Sequence, residues 1–300
     1  MSMFELPSYL NSKREQINSY LEKCFQAAPE SGRLIDAMRY SLMAGGKRLR
    51  PVLCLAGAEA VGGLAENALP AACALEMIHT YSLIHDDLPA MDNDVLRRGK
   101  PTCHVQFDEV TAILAGDALL TMAFQVLSRA ESIDSDNHHA VTWLKVIQCI
   151  SRAAGCWGMV EGQMRDIAAE NNTLSRPELE RLHALKTGAL IEAAVYSGAL
   201  LGNGTSEQID QLETYAGCIG LAFQVKDDVL NVEGDPVHLG KGVGTDALRQ
   251  KSTYPSLMGL EVSKAFARQL IEKALVALES FDNRSDPLRA IANYIIDRKR

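Results

Sequence analysis

The sequence predicts an all-α fold, and three observations carry that prediction. Alanine and leucine are plentiful while aromatic residues make up only 6% of the chain, a balance that favours helix packing over sheets. No stretch of strand length alternates apolar and polar residues, whereas apolar residues recur at helical spacing through several long segments. At 300 residues and 47% hydrophobic content the chain is long enough to bury a sizeable core. No shift in composition marks a boundary, so residues 1–300 are expected to form one helical domain.

In chain order, residues 4–27 read as an amphipathic helix stopped near Pro29, and residues 32–42 as a second helix. Gly45-Gly-Lys-Arg-Leu-Arg-Pro51 follows. Gly45 and Gly46 let the backbone approach a ligand, Lys47, Arg48 and Arg50 supply bases, and Pro51 fits the first turn of the next helix. This composition suits an anion cradle or an ordinary solvated loop, and it matches neither the P-loop nor the Rossmann fingerprint. Helices are expected at 51–61 and 68–85, then a polar connection over 92–101 that carries Arg97, Arg98 and Lys100. Further helices are expected at 113–130, 143–169, 177–201, 206–232, 254–280 and 286–297, with Gly155, Gly158 and Gly162 allowing close helix contact. His138 and His139 lack carboxylate or cysteine partners at ligand spacing and read as surface. Residues 234–253, with Lys241 and Lys251, have the length of a functional lid.

The informative feature is where the buried helices end. The run over 76–85 meets Asp86, Asp87 and Asp92. Ionised carboxylates are rarely left unpaired in a core, and a helix C-terminus is itself partially negative, so a cation is needed there unless the stretch is an exposed acidic loop. The helix over 206–232 repeats the design with Asp227 and Asp228. Asp227 and Asn231, four apart, share one helix face. Asp86 and Asp92 are six apart and would diverge on a continuous helix. Pro89 disfavours the helical conformation at Leu88 and lets the chain loop out, so that Asp92 can turn back toward Asp86.

Carboxylates without neighbouring histidine or cysteine suit hard cations, and Mg2+ typically takes one or two of them together with waters and substrate phosphates. Two facing clusters could hold several such ions around one diphosphate. Arg97, Arg98, Lys186, Lys241 and Lys251 would neutralise what the metals leave. The chemistry that follows is abstraction of a diphosphate leaving group, driven mainly by charge stabilisation. Lys186-Thr187 forms a polar notch in a core-like helix, where lysine can also snorkel and threonine can bond back to its own helix.

Composition excludes some classes. A net charge of −8 argues against a general nucleic-acid surface. The seven cysteines show no CxxC spacing and read as reduced core residues. The N-terminus lacks a signal-peptide apolar block, and no run approaches ~20 uninterrupted apolar residues, so a cytoplasmic protein without a membrane span is expected.

Taken together, His85-Asp-Asp-Leu-Pro-Ala-Met-Asp92, the following Leu96-Arg-Arg-Gly99, the preceding Gly45-Gly-Lys-Arg-Leu-Arg-Pro51, and the later Lys186-Thr187 and Phe223-Gln-Val-Lys-Asp-Asp228 resemble the trans-prenyltransferases. The likeness is closest to bacterial-type farnesyl diphosphate synthases and covers essentially the whole chain. It implies an isoprenoid synthase bundle of about ten core helices around a deep central cavity, usually as a homodimer. It also implies Mg2+-dependent head-to-tail condensation of isopentenyl diphosphate with dimethylallyl or geranyl diphosphate.

By the same resemblance, Asp86, Asp87, Asp92, Asp227 and Asp228 hold three Mg2+ ions on the allylic diphosphate, which Arg97, Lys186, Lys241 and Lys251 grip. Gly46, Lys47, Arg50, His79 and Arg98 look like the isopentenyl diphosphate site, and Thr187 and Gln224 point oxygens at the allylic cation. The second acidic motif departs from the family pattern at Asn231, which brings no charge to a metal site.

Tyr81 lies five residues before Asp86, about 7.5 Å along the helix at ~1.5 Å per residue. With Ser82 beside it, and with the Pro-Ala pair inside the first acidic motif, it resembles the farnesyl-producing type, in which a bulky residue floors the chain cavity; it also suits a core aromatic. Geranylgeranyl and geranyl diphosphate synthases are alternatives. A terpene cyclase lacks support in the second motif. A metal-dependent phosphohydrolase using His79, His85 and Asp86 leaves the second acidic end unexplained, and a non-catalytic partner subunit conflicts with the near-complete set of charged positions.

Overall fold

The computed structural model describes residues 4–26, 32–129, 137–170, 172–233 and 251–298. Two helices, α1 (Leu6–Gln26) and α2 (Arg33–Leu42), lead to α3 (Leu49–Ala60) and α4 (Ala65–Asp86). After a short hairpin, β1 (Leu96–Arg97) and β2 (Lys100–Pro101), come α5 (Cys103–Gln106), α6 (Glu109–Leu127), α7 (Asn137–Ala154) and α8 (Met159–Ala168). Helix α9 (Arg176–His183) runs through one π turn (Ala184–Gly188) into α10 (Ala189–Leu201), and α11 (Ser206–Glu233) follows. The chain closes with α12 (Tyr254–Met258), α13 (Leu260–Val276), a 3-10 turn (Asn283–Ser285) and α14 (Asp286–Asp297). The all-α isoprenoid synthase architecture expected from the sequence is the one observed.

The centre of the bundle is made by α4 and α10. Helix α4 is buried on nearly every side from Ala71 to Ile78, and α10 packs against α3, α4, α7 and α11. A helix apolar all round belongs inside a bundle, where neighbours cover every face. Close approach is built from small residues: a Cβ on Gly198 of α10 would overlap the carbonyl oxygen of Cys54 in α3. Helix α6 lies along α4, and α13 along α11. By length and composition Glu109–Leu127 and Arg176–Leu201 could cross a membrane; here 44% and 61% of their apolar windows are buried in the bundle.

Several expected boundaries shift for identifiable reasons. The helix expected over 143–169 is two helices, because the backbone turns at 155–158, where Gly158 leaves no room for a Cβ beside Ala153. The notch in 177–201 is the π turn, whose extra residue displaces Lys186 and Thr187 from α-helical register. The helix expected over 254–280 breaks at Gly259, which has φ of +82°. The polar connection over 92–101 contains the hairpin, whose two-residue turn, Arg98-Gly99, has both φ values positive, as a tight right-twisted hairpin requires. His138 and His139 fall in the first turn of α7, and their side chains lie outside the described residues. Most of the expected lid, residues 234–250 with Lys241, also lies outside them.

A Gly198→Ala variant forces α3 and α10 apart, and overpacking of this kind costs about 1–3 kcal/mol. Urea unfolding should show a lower midpoint with an unchanged slope.

Candidate active site

The glycine-rich cradle is held from below by a buried ion pair. Arg48 caps the start of α3 in the left-handed region, with φ of +51°. Its guanidinium donates to Glu76 Oε1 of α4 at 2.7 Å, to the Leu42 carbonyl at 2.6 Å and to Asn18 Oδ1 at 3.1 Å. Both members of the pair are 2% exposed or less. The remaining bases face a cavity of about 620 Å³ lined by Gly46, Lys47, Arg50, His79 and Arg98, with Phe223, Ile291 and Ile295 on its apolar side. Arg98 reaches it from the hairpin turn, stacked over Gly46 and bonded to the Gly45 carbonyl. Arg50 Nε is buried without a hydrogen-bond partner among the described residues. Burial depresses the Arg50 pKa, opposed by Glu76 and Asp227. Burial, with the charges of Arg50, Arg98, Arg97 and Arg48, holds His79 well below its usual range, so its ring is neutral. A guanidinium with a buried, unsatisfied N–H, set beside the exposed bases Lys47 and Arg98, suits an anion.

The first acidic end is folded as Pro89 predicts. The chain leaves α4 at Asp87, and the Asp92 N–H donates to the Asp86 carbonyl at 2.9 Å, which returns Asp92 to Asp86. Burial raises the Asp86 carboxyl to about 6, with Asp92 and Asp87 adding to the rise and Lys186 and Arg97 opposing it. Asp87 differs. It is buried, and its two oxygens accept from Arg97 Nε, each at 2.8 Å, so it faces the hairpin.

The second acidic end divides in the same way. Asp227 is 41% exposed on its side chain and meets the Arg298 guanidinium at 2.6 Å. Arg298 also donates to the Phe223 carbonyl and lies 3.9 Å over the Phe223 ring, which seats the end of the chain against α11. Asp228 is buried: Oδ1 accepts from Gln224 Nε2 at 3.2 Å and Oδ2 from the Tyr254 N–H at 3.0 Å. His183 Nε2 lies 3.8 Å from Asp228 Oδ2, but burial pushes that histidine down to about 4, so it carries no charge near neutral pH.

Between the acidic ends stands the π turn. Gly162 of α8 lies directly against the backbone of Lys186, where a Cβ would not fit. Lys186 Nζ and Lys251 Nζ both donate to Asp166 Oδ2 at 2.7 Å. Thr187 donates its hydroxyl to Gln224 Oε1 at 3.2 Å. Tyr81 is 7% exposed and meets the His85 ring edge-on at 5.8 Å, while the Ser82 hydroxyl bonds to the His79 carbonyl of its own helix. Asp166 is the residue that sequence reading did not single out; Arg298 entered it only within the basic run Arg298–Arg300, with closure over the site left open. For Asp166 a signal existed: Gly162-Gln-Met-Arg-Asp166 sets an amide and a carboxylate three apart, on one face of a helix. For Arg298 there was only a terminal run of bases.

Among the described residues, no three histidine, cysteine or carboxylate side chains converge tightly enough to cage a metal. Carboxylates on two separate helices, one of them raised chiefly by burial and further by its anionic neighbours, nonetheless fit Mg2+, which completes its shell with phosphate oxygens and water.

A helical bundle with an anion cradle and two acidic helix ends is the architecture of an enzyme that handles diphosphates. Residues 32–292 match the model of the polyprenyl synthetase family, and the chain belongs to that family. It is 49% identical over 272 residues to a farnesyl diphosphate synthase of Micrococcus luteus, with 91% of each protein covered. It is 47% identical over 296 residues to a geranylgeranyl diphosphate synthase of Cyanophora paradoxa, with 98% of this chain and 97% of the relative covered. The structure of an FPP/GFPP synthase from Zymomonas mobilis superposes with a TM-score of 0.86 at 40% identity, covering 97% of this chain and 98% of that one. The family joins isopentenyl and allylic diphosphates and uses Mg2+ in catalysis.

Substituting Glu76 by glutamine strands the Arg48 charge in the core, a loss of about 3–5 kcal/mol for a broken buried pair. Denaturant unfolding should show the loss directly, and an unchanged unfolding free energy would remove the pair from its supporting role.

Proposed function

We propose that this protein is a farnesyl diphosphate synthase that condenses isopentenyl diphosphate with dimethylallyl and then geranyl diphosphate, and that residues 1–300 act as one catalytic domain. The observation that carries the product length is the burial of Tyr81 at 7% exposure, little more than one helical turn below Asp86 and braced edge-on by His85. A phenol ring fixed at that depth limits how far a growing chain can descend. Ser82, on the adjacent position, borders the same depth. The relatives carry names of both the farnesyl and the geranylgeranyl type, and Tyr81 favours the shorter product.

In this reading Asp86, Asp92 and Asp227 would hold three Mg2+ ions, whose positive charge would stabilise the departing allylic diphosphate. Lys186, Lys251 and Arg97, joined by Lys241, neutralise the same group. Asp87 and Asp228, whose oxygens already accept from Arg97 and from Gln224 and Tyr254, back the site rather than ligate. Thr187 and Gln224 fix one another by their hydrogen bond and turn oxygen dipoles toward the allylic cation. The isopentenyl diphosphate is held by the Gly46 backbone, Lys47, Arg50 and Arg98, with the neutral His79 ring as a further polar contact. Its double bond attacks the allylic carbon, the allylic carbon–oxygen bond breaks, and the proton lost from the new cation passes to the departing diphosphate. Asn231 replaces a charged ligand without removing Asp227, so turnover survives.

We further propose a homodimer in the cytoplasm. Val110, Ile113 and Leu114 of α6, Val141 and Leu144 of the neighbouring α7, and Trp157 in the turn after α7, which is 74% exposed, are the apolar residues offered to a second copy.

Incubation with labelled isopentenyl diphosphate and geranyl diphosphate should give a fifteen-carbon diphosphate with Mg2+ and nothing after chelation; cyclised or dephosphorylated products would refute the assignment. Tyr81→Ala should lengthen the product beyond fifteen carbons, and an unaltered product would refute the floor. Sedimentation should show a dimer that Leu144→Glu converts to monomer.

A further inference from the structure

We propose that Asp228 is a positioning residue: together with Asp166 it fastens residues 251–254 to the bundle and so sets Lys251 beside Lys186. This rests on the reading above, in which those two lysines take the allylic diphosphate.

Several contacts fasten the segment within four residues. Lys251 donates to Asp166 Oδ2 of α8 at 2.7 Å, on the same oxygen as Lys186. The Ser252 hydroxyl accepts from the Leu174 N–H at 2.9 Å. The Tyr254 N–H donates to Asp228 Oδ2 of α11 at 3.0 Å, and the Tyr254 ring stacks on His183 of α9 with centroids 5.6 Å apart. The segment is thus pinned to three helices, α8, α9 and α11, at the start of α12.

The geometry divides the work between the two carboxylates. Asp166 draws two ammonium groups to one oxygen, a spacing at which they would otherwise repel each other. That attraction acts on long side chains and does not locate the backbone from which Lys251 projects. Asp228 does, because it holds a main-chain N–H three residues further on, and a carboxylate accepting a backbone N–H in a buried site is a strong, directional bond. Gln224 closes the link to the reacting carbon: the same amide that donates to Asp228 accepts from Thr187. One carboxylate therefore orients both the segment bearing Lys251 and the amide expected to face the allylic cation.

The test compares Asp228→Ala, Asp228→Asn, Ser252→Ala and Asp227→Ala in the full chain. Hydrogen exchange is read on the peptide covering residues 252–258, together with the KM for geranyl and isopentenyl diphosphates and the Mg2+ half-saturation. Asp228→Ala should lose protection in that peptide and raise the KM for geranyl diphosphate about tenfold, as loss of one buried charged hydrogen bond implies. Its KM for isopentenyl diphosphate and its Mg2+ half-saturation should stay within about twofold, since neither depends on the anchor. Asp228→Asn keeps one oxygen for the Tyr254 N–H and should rescue protection and the KM for geranyl diphosphate, although it no longer offers Gln224 the second acceptor oxygen. Ser252→Ala, which spares Asp228, should show a smaller shift of the same kind, and it carries the test should Asp228→Ala fail to fold. Asp227→Ala should move the Mg2+ half-saturation and leave the peptide protected. Unchanged protection in Asp228→Ala, or a Mg2+ shift in Asp228→Asn as large as that in Asp227→Ala, would overturn the assignment. If Lys186→Ala and Lys251→Ala leave the KM for geranyl diphosphate unchanged while Asp228→Ala still loosens the segment, the diphosphate reading fails and the anchor stands.

Discussion

Helix α4 ends in adjacent carboxylates and α11 carries another pair near its C-terminal end, and no core tolerates that concentration of negative charge without compensation. The structure meets the constraint by splitting each pair. At both ends one aspartate turns inward to protein donors, Asp87 to Arg97 and Asp228 to Gln224 and Tyr254. The other keeps a more open position, Asp86 beside Asp92 and Asp227 beside Arg298. The inward members are satisfied within the protein and hold neighbouring parts in place. Of the outward members, Asp86 has its carboxyl raised, chiefly by burial and further by the charges of Asp92 and Asp87, while Asp227 is paired with Arg298.

The basic side of the site follows the same logic with the sign reversed. Arg48 is neutralised in the core by Glu76, while its neighbours in sequence, Lys47 and Arg50, line the cavity. Burial depresses the Arg50 pKa, and burial together with the neighbouring guanidiniums keeps His79 neutral. Lys186 and Lys251 are brought together by Asp166. Each half of the site thus consists of charges that the fold has partly paired and partly left to an incoming group, and an anion with its cations completes both halves at once.

Backbone irregularities place these groups. The π turn offsets Lys186 and Thr187, the positive φ values at Arg98 and Gly99 aim Arg98 back at Gly45, and the loop around Pro89 returns Asp92 to Asp86. Each departs from regular helix where a side chain must point away from its natural register, while α4 and α10 supply the rigid frame that such departures need.

The sequence by itself determined the all-helical class, most helix positions, the cradle, the two acidic ends and the return of Asp92, because each depends on local composition, spacing or the fixed geometry of one proline. It also determined the family, since several motifs recur in order. What it could not determine is which carboxylate of each pair faces inward, because that choice depends on donors remote in sequence: the Tyr254 N–H lies on a different helix from Asp228, and Arg97 comes from a hairpin that no alternating pattern announced. Asp166 escaped notice for the same reason. Its meaning comes from two lysines, 20 and 85 residues away, that only the packing of α8 against the π turn and the 251–254 segment brings to one oxygen.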